Sequence, residues 1–422
     1  MPFRTVTCLA AALCTAAALA QTRPPQYPEG QQTPRYLTPE ERSWLKGHPW
    51  YFQDRGESDP PTGFVRCPSE YELMDGLLMA WEGGASWNPI LTAMAVQVTG
   101  ALGHARVYMA VDSQSEQTSC SATLATAGVD MSRVVFVVHP TDTIWIRDYG
   151  PRYIYQGGCR AIVDHIYNRP RPQDDAFPAY FSTFKQHPMY SMNLIHGGGN
   201  YHLDSFGRSY ATRLVVNENP NLTEAQIIAK WHAFQNVNTT LFDPFPTSID
   251  STQHLDMWMQ VIGDTSVIIS DWPTASGSPQ DVICDNAATL MTLRGYTVYR
   301  TPAIHSGGVH YTFTNAVMCN DVVMIPKYSQ NPANTYNDQA LTVYEEALPD
   351  KTVVQIDCTQ IISAAGALHC IVMHVPVNQN GDLPEAFLVS PQGGDQQQLS
   401  HGQQVEIRWL GDDDNAVTGI DL

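Results

Sequence analysis

The sequence predicts an α/β domain, because strand-like and helix-like patterns alternate over roughly 300 residues. Hydrophobic residues make up 43% of the 422, which is enough to bury a large core. The patterns are typical of strands at 133–138, 267–269 and 322–325, and of helices at 223–234 and 287–293. Thr223, or nearby Asn221, is placed to cap the first of these helices.

The excess of acidic over basic residues limits the classes of molecule that the protein is expected to bind. The chain has 23 basic and 42 acidic residues, a formal net charge of -19. A nucleic-acid partner is not expected, because phosphate binding requires a basic face. An acidic surface instead attracts cationic substrates, and it also serves simply to keep an exported protein soluble.

Residues 1–20 are typical of a secretory signal peptide. Arg4 precedes an apolar run that ends in Ala18 and Ala20, so cleavage is expected before Gln21. No later segment reaches about 18 uninterrupted apolar residues, and no membrane insertion is expected. The mature protein is therefore predicted to be secreted.

Removal of the signal leaves seven of the nine cysteines. An oxidising compartment favours pairing, so up to three disulfides are expected, and an odd number leaves at least one thiol free. The spacing does not specify the pairs. The seven are Cys67, Cys120, Cys159, Cys284, Cys319, Cys358 and Cys370.

Composition divides the mature chain into three parts. Residues 21–42 are predicted to be a flexible lead-in, since their first half is rich in Pro, Gln and Thr. The α/β domain is expected over 43–375. Residues 376–422 form a linker and a β segment, in which 404–409 alternates like a strand. This segment resembles the opening strands of an immunoglobulin-like sandwich, but it is far shorter than the roughly 100 residues of that fold.

Cys370 is a candidate nucleophile. It ends a run of small residues, 363–370, that lets backbone and ligand approach closely. A thiolate is the strongest nucleophile among ordinary side chains. A buried or disulfide-bonded cysteine is the alternative, and position alone favours it.

His254 and Asp256 are a candidate acid–base pair. If 253–259 is a strand, the two side chains share one face with Trp258. A histidine beside a carboxylate suits general acid–base catalysis next to a cation. Metal ligation is the alternative, but no spacing typical of a zinc site supports it.

Three further charged residues stand in unusual settings. Asp148 follows an apolar run and precedes a Gly-Pro turn, where it could bind a guanidinium through two hydrogen bonds or pair locally with Arg152. Arg169 and Arg171 alternate with prolines, which gives their guanidinium groups a defined reach toward a carboxylate or another anion. A solvated loop is the alternative for both arginines.

These features occur in an order that resembles the agmatine deiminase and bacterial peptidylarginine deiminase family. The similarity spans roughly residues 45–375, and the run 167–172 is similar to the Porphyromonas-type peptidylarginine deiminases rather than to agmatine deiminases. The motifs are Trp145-x-Arg147-Asp148-Tyr149-Gly150-Pro151, His196-Gly197-Gly198-Gly199-Asn200, His254-x-Asp256, Tyr311-x-x-x-Asn315 and Gly366-x-x-His369-Cys370.

The resemblance implies a five-bladed α/β propeller of ββαβ units. It also implies that Asp148 and Asp256 bind the guanidinium, that His254 is the acid–base group and that Cys370 is the nucleophile. Further implied positions are a polar active-site residue at Asn315, a pocket wall at Trp145, and a clamp for the carboxylate of a C-terminal arginine at Arg169 and Arg171. No cofactor is implied, and activity is expected to be independent of calcium.

The predicted function is hydrolysis of peptidyl arginine, preferably C-terminal, to citrulline and ammonia. Arginine-containing peptides and proteins are the expected partners, and the oligomeric state is not indicated. Three alternatives stay open: a deiminase of agmatine or another small guanidine, a cysteine protease using Cys370 and His254, and a non-catalytic arginine-binding module. The protease lacks the sequence context of papain-like enzymes.

Overall fold

The computed structural model describes residues 23–414, apart from 29, 53–54, 382–383, 392–403 and 405. The predicted signal peptide lies outside the described residues. Within them the chain is a mixture of helices and strands, as the sequence predicts. None of the described helices is long and apolar enough to cross a membrane.

Twenty strands occur in the described part of the chain. They are β1 (Val65–Arg66), β2 (Met74–Ala80), β3 (Arg106–Val111), β4 (Val134–Val138), β5 (Arg152–Gln156), β6 (Cys159–Tyr167), β7 (Met189–His196), β8 (His202–Leu203), β9 (Arg208–Thr212), β10 (Asn238–Phe242), β11 (Met259–Gly263), β12 (Ser266–Asp271), β13 (Thr297–Ser306), β14 (Val309–Thr312), β15 (Val317–Cys319), β16 (Val322–Lys327), β17 (Thr352–Asp357), β18 (Met373–Pro376), β19 (Glu385–Ser390) and β20 (Arg408–Asp412).

The helices of the same residues connect these strands. They are α1 (Pro39–Gly47), α2 (Gly84–Thr99), α3 (Gln114–Thr126), α4 (Ile146–Tyr149), α5 (Pro172–Lys185), α6 (Leu214–Glu218), α7 (Glu224–Gln235), α8 (Pro279–Leu293) and α9 (Asn337–Ala347). Short 3-10 turns occupy Met131–Arg133, Leu255–Met257, Ala333–Tyr336, Ile362–Ala364 and His369–Ile371.

Five sheets of three or four strands build the domain. Their strand orders are β1-β5-β6-β7, β10-β9-β8, β11-β12-β13-β14, β15-β16-β17 and β18-β2-β3-β4. Each sheet combines antiparallel neighbours with at least one parallel pair, and a helix bridges each parallel pair because such strands need a crossover. The number of sheets equals the number of units that the resemblance implies. Their placement as blades around one axis stays a prediction.

The last strand of the domain completes its first sheet. Strand β18 pairs antiparallel with β2, with Met373 opposite Leu78. The two strands are separated by almost the whole domain in sequence, so this pairing fixes the end of the domain against its beginning. The 3-10 turn His369–Ile371 is thereby held directly beside the first sheet.

Local sequence signals explain where the elements begin. The helix predicted over 223–234 is confirmed as α7, with Thr223 as its N-cap. The Thr223 hydroxyl accepts from the Gln226 amide at 3.3 Å, and the Gln226 side chain accepts from the Thr223 amide at 2.8 Å, which is a complete capping box. Strand β16, which contains the predicted strand 322–325, is buried along almost its whole length.

The lead-in predicted over 21–42 packs against the domain in its second half. Thr33, Arg35, Thr38 and Glu41 are buried, and α1 begins inside the predicted segment with Thr38 as its N-cap. Proline-rich composition predicts a lack of local secondary structure, but it carries no information on contacts with the domain. Helix α1 crosses residue 42, and the domain boundary expected there stays a prediction.

The disulfide prediction is wrong for the described residues, in which all seven cysteines are free thiols. All seven are buried. Burial raises the pKa of Cys67, Cys120, Cys159 and Cys319 to about 12. These thiols are therefore poor nucleophiles at neutral pH.

The C-terminal segment forms one antiparallel pair, β19 with β20, that packs on the domain. The strand predicted at 404–409 begins later, at Arg408. Asp412 in β20 receives hydrogen bonds from the buried Arg160 of β6, at 2.9 Å from Nη2 and 3.0 Å from Nε. This buried ion pair fastens the segment to the domain.

Candidate active site

Cys370 lies in the 3-10 turn His369–Ile371, immediately before β18, and is fully buried. Asn315 holds this turn from the side. Its side-chain oxygen accepts from the amides of Ala367 and His369 at 3.0 and 3.1 Å, and its Nδ2 donates to Cys370 Sγ at 3.0 Å. Asn315 thus orients the thiol and the backbone that carries it.

Asp148 lies in the one-turn helix α4 and not at the end of a strand. The turn is fixed by its neighbours, since the Gly198 amide donates to the Asp148 carbonyl at 2.9 Å. The Gly199 amide donates to Asp148 Oδ1 at 3.1 Å. The carboxylate is buried and points into the same space as Cys370, where both contact one guanidinium.

The strand expected over 253–259 is wrong. His254 has extended backbone, Leu255–Met257 is a 3-10 turn, and β11 begins only at Met259. An alternating apolar pattern does not distinguish a strand from such a turn when the segment is short. The turn still brings His254 and Asp256 to the same ligand as Cys370.

That ligand is the chain's own Arg35. Its guanidinium donates to both oxygens of Asp148 at 2.8 Å each, from Nε and Nη2. Nη1 and Nη2 also donate to the two oxygens of Asp256 at 3.1 Å. Nη1 lies 2.6 Å from Cys370 Sγ, and Nη2 lies 2.6 Å from His254 Nδ1. Four of the predicted site residues therefore surround one buried guanidinium.

Glycines make room for this guanidinium. A Cβ atom on Gly199 would lie 1.8 Å from Arg35 Nη2, and one on Gly366 would lie 3.0 Å from Cys370 Sγ. A Cβ on Gly197 would lie 2.7 Å from the His254 ring. The glycine run 197–199 therefore shapes a guanidinium pocket.

Trp145, Arg169 and Arg171 contact the main chain around Arg35. Trp145 Nε1 donates to the Thr33 carbonyl at 2.8 Å, and Arg169 Nε donates to the Arg35 carbonyl at 3.0 Å. Arg171 is buried, and the carboxylate that it binds is the side chain of Glu41, at 2.8 Å. The solvated-loop alternative is wrong for both arginines, because each is buried.

Comparison with known proteins assigns the chain to a family. Residues 66–376, most of the chain, match the family described as Porphyromonas-type peptidyl-arginine deiminase. The chain belongs to this family. A relative from Streptomyces avermitilis, assigned by name to agmatine deiminase, is 23% identical over 365 residues, which cover 76% of this chain and 100% of the relative.

Solved structures share the α/β fold of this family member. Agmatine deiminase of Enterococcus faecalis superposes with a TM-score of 0.63 at 18% identity, covering 76% of this chain and 99% of that one. A Porphyromonas gingivalis protein named as an arginine deiminase has a TM-score of 0.64 at 17% identity, covering 74% and 98%. The protein is a guanidino-group deiminase, a hydrolase that acts on C–N bonds.

The electrostatics of the deiminase site favour a bound cation. Burial alone would raise the pKa values of Asp148 and Asp256, but the Arg35 guanidinium and nearby histidines outweigh it and hold both below the usual range. Burial, and then the charge of Arg35, lowers the pKa of His254, so its imidazole is neutral at pH 7. Burial raises the pKa of Cys370 well above its ordinary value, an effect that Arg35 only partly offsets.

Several residues of the site were not assigned a role from the sequence. His369 and Arg147 stand inside the predicted motifs, and their position beside Cys370 and Asp148 was the available signal. Glu70 accepts from Arg147 Nη1 at 2.7 Å and lies 2.8 Å from His369 Nε2, but no sequence pattern marks it. Arg35 belongs to the lead-in, where composition gave no reason to select it.

One group beside the site has metal-ligating residue types. Glu70, His202 and His369 present ligand atoms within 4.8 Å of one another. Glu70 already forms an ion pair with Arg147, and His369 bonds Glu70 and Asp256. These contacts satisfy the polar atoms of Glu70 and His369 within the protein, so the group is better described as a hydrogen-bonded support of the site.

Proposed function

We propose that this deiminase hydrolyses the guanidinium of arginine within polypeptides to citrulline and ammonia. The observation that carries the proposal is Arg35, an arginine flanked by further residues on both sides, whose side chain fits the pocket of Asp148, Asp256, His254 and Cys370. The site therefore has room for a peptide backbone as well as for a guanidinium.

The first half of the proposed reaction displaces ammonia. Two carboxylates hold the guanidinium planar and charged, which keeps its carbon electrophilic. The Cys370 proton passes to His254 as the sulfur forms an S–C bond to the guanidinium carbon, because this bond removes the guanidinium charge that lowers the pKa of His254. His254 is placed at one terminal nitrogen, as its contact with Arg35 Nη2 shows, and returns the proton to that nitrogen as the C–N bond breaks.

The second half hydrolyses the S-alkylthiouronium adduct. Water enters where ammonia has left, and the neutral His254 accepts its proton as the oxygen binds the carbon. The S–C bond then breaks and His254 returns this proton to the leaving Cys370 thiolate. The second proton of the water leaves the product oxygen for solvent, where the released ammonia takes it up as ammonium, and neutral citrulline remains. Each half needs only water and the residues named, so we propose that no metal, redox cofactor or calcium takes part.

Arg169 and Arg171 are proposed to bind the substrate main chain. Arg169 donates to the carbonyl of the bound arginine at 3.0 Å, and Arg171 Nη2 donates to the Pro34 carbonyl at 2.7 Å. A C-terminal arginine placed like Arg35 would present a carboxylate oxygen where this carbonyl oxygen lies. The geometry therefore suits an internal arginine, and a C-terminal carboxylate would strengthen the contact with Arg169.

Agmatine is the second candidate substrate, because the relatives and several solved structures are named as agmatine deiminases. Agmatine would satisfy the guanidinium pocket equally well. It has no carbonyl to accept from Arg169 and Arg171, and its own ammonium would lie on their side of the pocket. Like charges oppose that arrangement, so we propose agmatine as the weaker substrate.

Export is also a proposal, based on the signal peptide expected over 1–20. It places the deiminase where it meets extracellular peptides. Sequencing the N-terminus of the protein after expression in a secreting host tests it. A mature chain beginning at Gln21 is the expected result, and an uncleaved chain retained in the cell contradicts it.

The test of function measures citrulline release from three substrates: a peptide with internal arginine, one ending in arginine, and agmatine. It uses the Arg35→Gln protein, in which no built-in guanidinium fills the pocket, and the same protein with Cys370→Ser as control. Cys370-dependent turnover of either peptide above that of agmatine supports the proposal. Turnover of agmatine alone assigns the protein to small-guanidine hydrolysis.

A further inference from the structure

We propose that residues 33–41 are a built-in peptide ligand of the active site, which an external substrate must displace. This inference deepens the proposed function and rests on it for the identity of the site. The class of ligand is an internal arginine of a peptide, here Thr33-Pro34-Arg35-Tyr36, in which the chain bends at Arg35 and Tyr36. The chain thus supplies a competitor in cis for its own substrate.

The guanidinium contacts leave no place for a second cation. Arg35 occupies both carboxylates, the thiol and the imidazole at once, over distances of 2.6 to 3.1 Å. The Arg35 side chain and those of Asp148 and Asp256 are at most 1% exposed. Because Gly199 has no space even for a Cβ atom beside Nη2, a substrate guanidinium binds only after Arg35 has left.

The main chain of the segment is bound as a substrate chain would be. The Arg35 amide donates to the Ala364 carbonyl at 3.0 Å, and its carbonyl accepts from Arg169. Trp145 binds the Thr33 carbonyl, and Arg171 binds the Pro34 carbonyl. Trp145, Arg169 and Arg171, which are predicted to bind the substrate, thus bind this segment. We therefore interpret the segment as a ligand of the site and not merely as a stretch of chain that packs on the domain.

A separate anchor lies outside the guanidinium pocket. Glu41, in the first turn of α1, is buried and accepts from Arg171 Nε at 2.8 Å. Burial would raise the pKa of Glu41, but the charge of Arg171 outweighs it and lowers that pKa, so the pair is ionised at pH 7. This pair raises the local concentration of Arg35 at the pocket, since the segment stays attached even when Arg35 leaves.

The test compares the full-length wild type with Arg35→Gln, using Arg42→Gln as the matched control. Arg42 directly follows the segment 33–41 in α1 and is exposed. If the segment fills the site for about nine-tenths of the time, Arg35→Gln lowers the apparent KM for an arginine peptide by about tenfold at nearly unchanged kcat. Glu41→Gln should shift KM in the same direction, and Arg42→Gln should leave it unchanged.

A second readout does not need catalysis. Cys370 is buried beneath Arg35, so iodoacetamide should alkylate it about tenfold faster in Arg35→Gln than in the wild type, when the rates are compared at a pH high enough to ionise the thiol in both proteins. Peptide mass spectrometry assigns the alkylated cysteine. Faster alkylation without citrulline release from any substrate would support the ligand and overturn the proposed function, so the two failures are distinguishable.

Two results overturn the proposal. Equal KM values and equal alkylation rates in the wild type and Arg35→Gln show that Arg35 does not occupy the site in solution. Citrulline at position 35 of the purified wild type shows that Arg35 is consumed as a substrate and does not remain as a ligand. If Arg35→Gln fails to fold, the KM of Glu41→Gln replaces it in the test, since that variant weakens the attachment of the segment and keeps Arg35. An unchanged KM in Glu41→Gln would then overturn the proposal.

Discussion

His369 Nδ1 lies 2.9 Å from Asp256 Oδ2, the same oxygen that accepts from Arg35 Nη2 at 3.1 Å. The other ring nitrogen, Nε2, lies 2.8 Å from Glu70 Oε2. Asp256 is therefore held between a buried imidazole and the bound cation. Because His369 directly precedes Cys370, the same ring positions the guanidinium-binding carboxylate and the turn that carries the thiol.

We predict that His369→Ala lowers kcat by about 100-fold with a smaller change in KM, because a misplaced carboxylate misaligns the guanidinium with the thiol. His369→Asn keeps an amide donor near the position of Nδ1 and should recover part of kcat. Steady-state kinetics on an arginine peptide, in the Arg35→Gln background, measure both. An equal loss of kcat in His369→Ala and His369→Asn would contradict the proposal that His369 acts by positioning Asp256.

Asp148→Asn should lower kcat/KM by about 1,000-fold, since it removes one charge of the doubly hydrogen-bonded clamp inside a buried site. The control is Asp243→Asn, an exposed carboxylate that pairs with Arg213 on the surface. Its kinetics should match those of the parent protein. A loss below tenfold for Asp148→Asn would show that Asp256 alone suffices for the cation.

Asn315→Ala should reduce kcat and slow alkylation of Cys370 in the Arg35→Gln background. The amide Nδ2 donates to Sγ at 3.0 Å, so its loss raises the pKa of the thiol further. We expect the pH dependence of alkylation to shift to higher pH. An unchanged pH profile with reduced kcat would limit Asn315 to holding the backbone at Ala367 and His369.

The Arg160–Asp412 pair gives the C-terminal segment a stability that depends on pH. Burial would raise the pKa of Asp412, but hydrogen bonds from His187 and Arg160 outweigh it and keep that pKa below its ordinary value. The stabilisation is therefore present above about pH 4, the ordinary pKa of an aspartate, and is lost as the pH falls further.

Asp412→Asn should remove about 3 kcal/mol from the attachment of this segment at pH 7, because it leaves a buried guanidinium poorly paired. Limited trypsin digestion should then cut faster after Arg408, in β20. At pH 3 the difference between the variant and the parent in amide hydrogen exchange of β20 should be smaller than at pH 7, because part of the stabilisation is already lost below the ordinary pKa of an aspartate. Asp350→Asn, at an exposed carboxylate, is the control and should change neither result.

Residue type and order were sufficient to predict the groups that meet the guanidinium. Cys370, His254, Asp148 and Asp256 lie in three motifs spread over the domain, and the structure brings them together. Local patterns failed where the outcome depends on tertiary contacts. Alternation at 253–259 did not reveal a 3-10 turn, since apolar residues are buried in either conformation.

Arg35 shows most clearly which kind of site residue cannot be predicted from the sequence. It lies in a proline-rich segment more than a hundred residues before Asp148, and nothing in its neighbours distinguishes it from an exposed arginine. Its burial results from complementarity to carboxylates supplied by other parts of the fold. The role of Glu70 could not be predicted either. No local pattern marks it, and its role follows from its contacts with Arg147 and His369 in the folded protein.

The pairing of β18 with β2 bears on when the enzyme becomes active. Cys370 lies three residues before β18. Its backbone is therefore fixed only after β18, at the end of the domain, has paired with β2 near the beginning of the domain. A ribosome-bound chain that lacks this last strand has the carboxylates but no positioned thiol. Catalytic competence should therefore arise after translation of the domain is complete, which protects the arginines of the growing chain from its own chemistry.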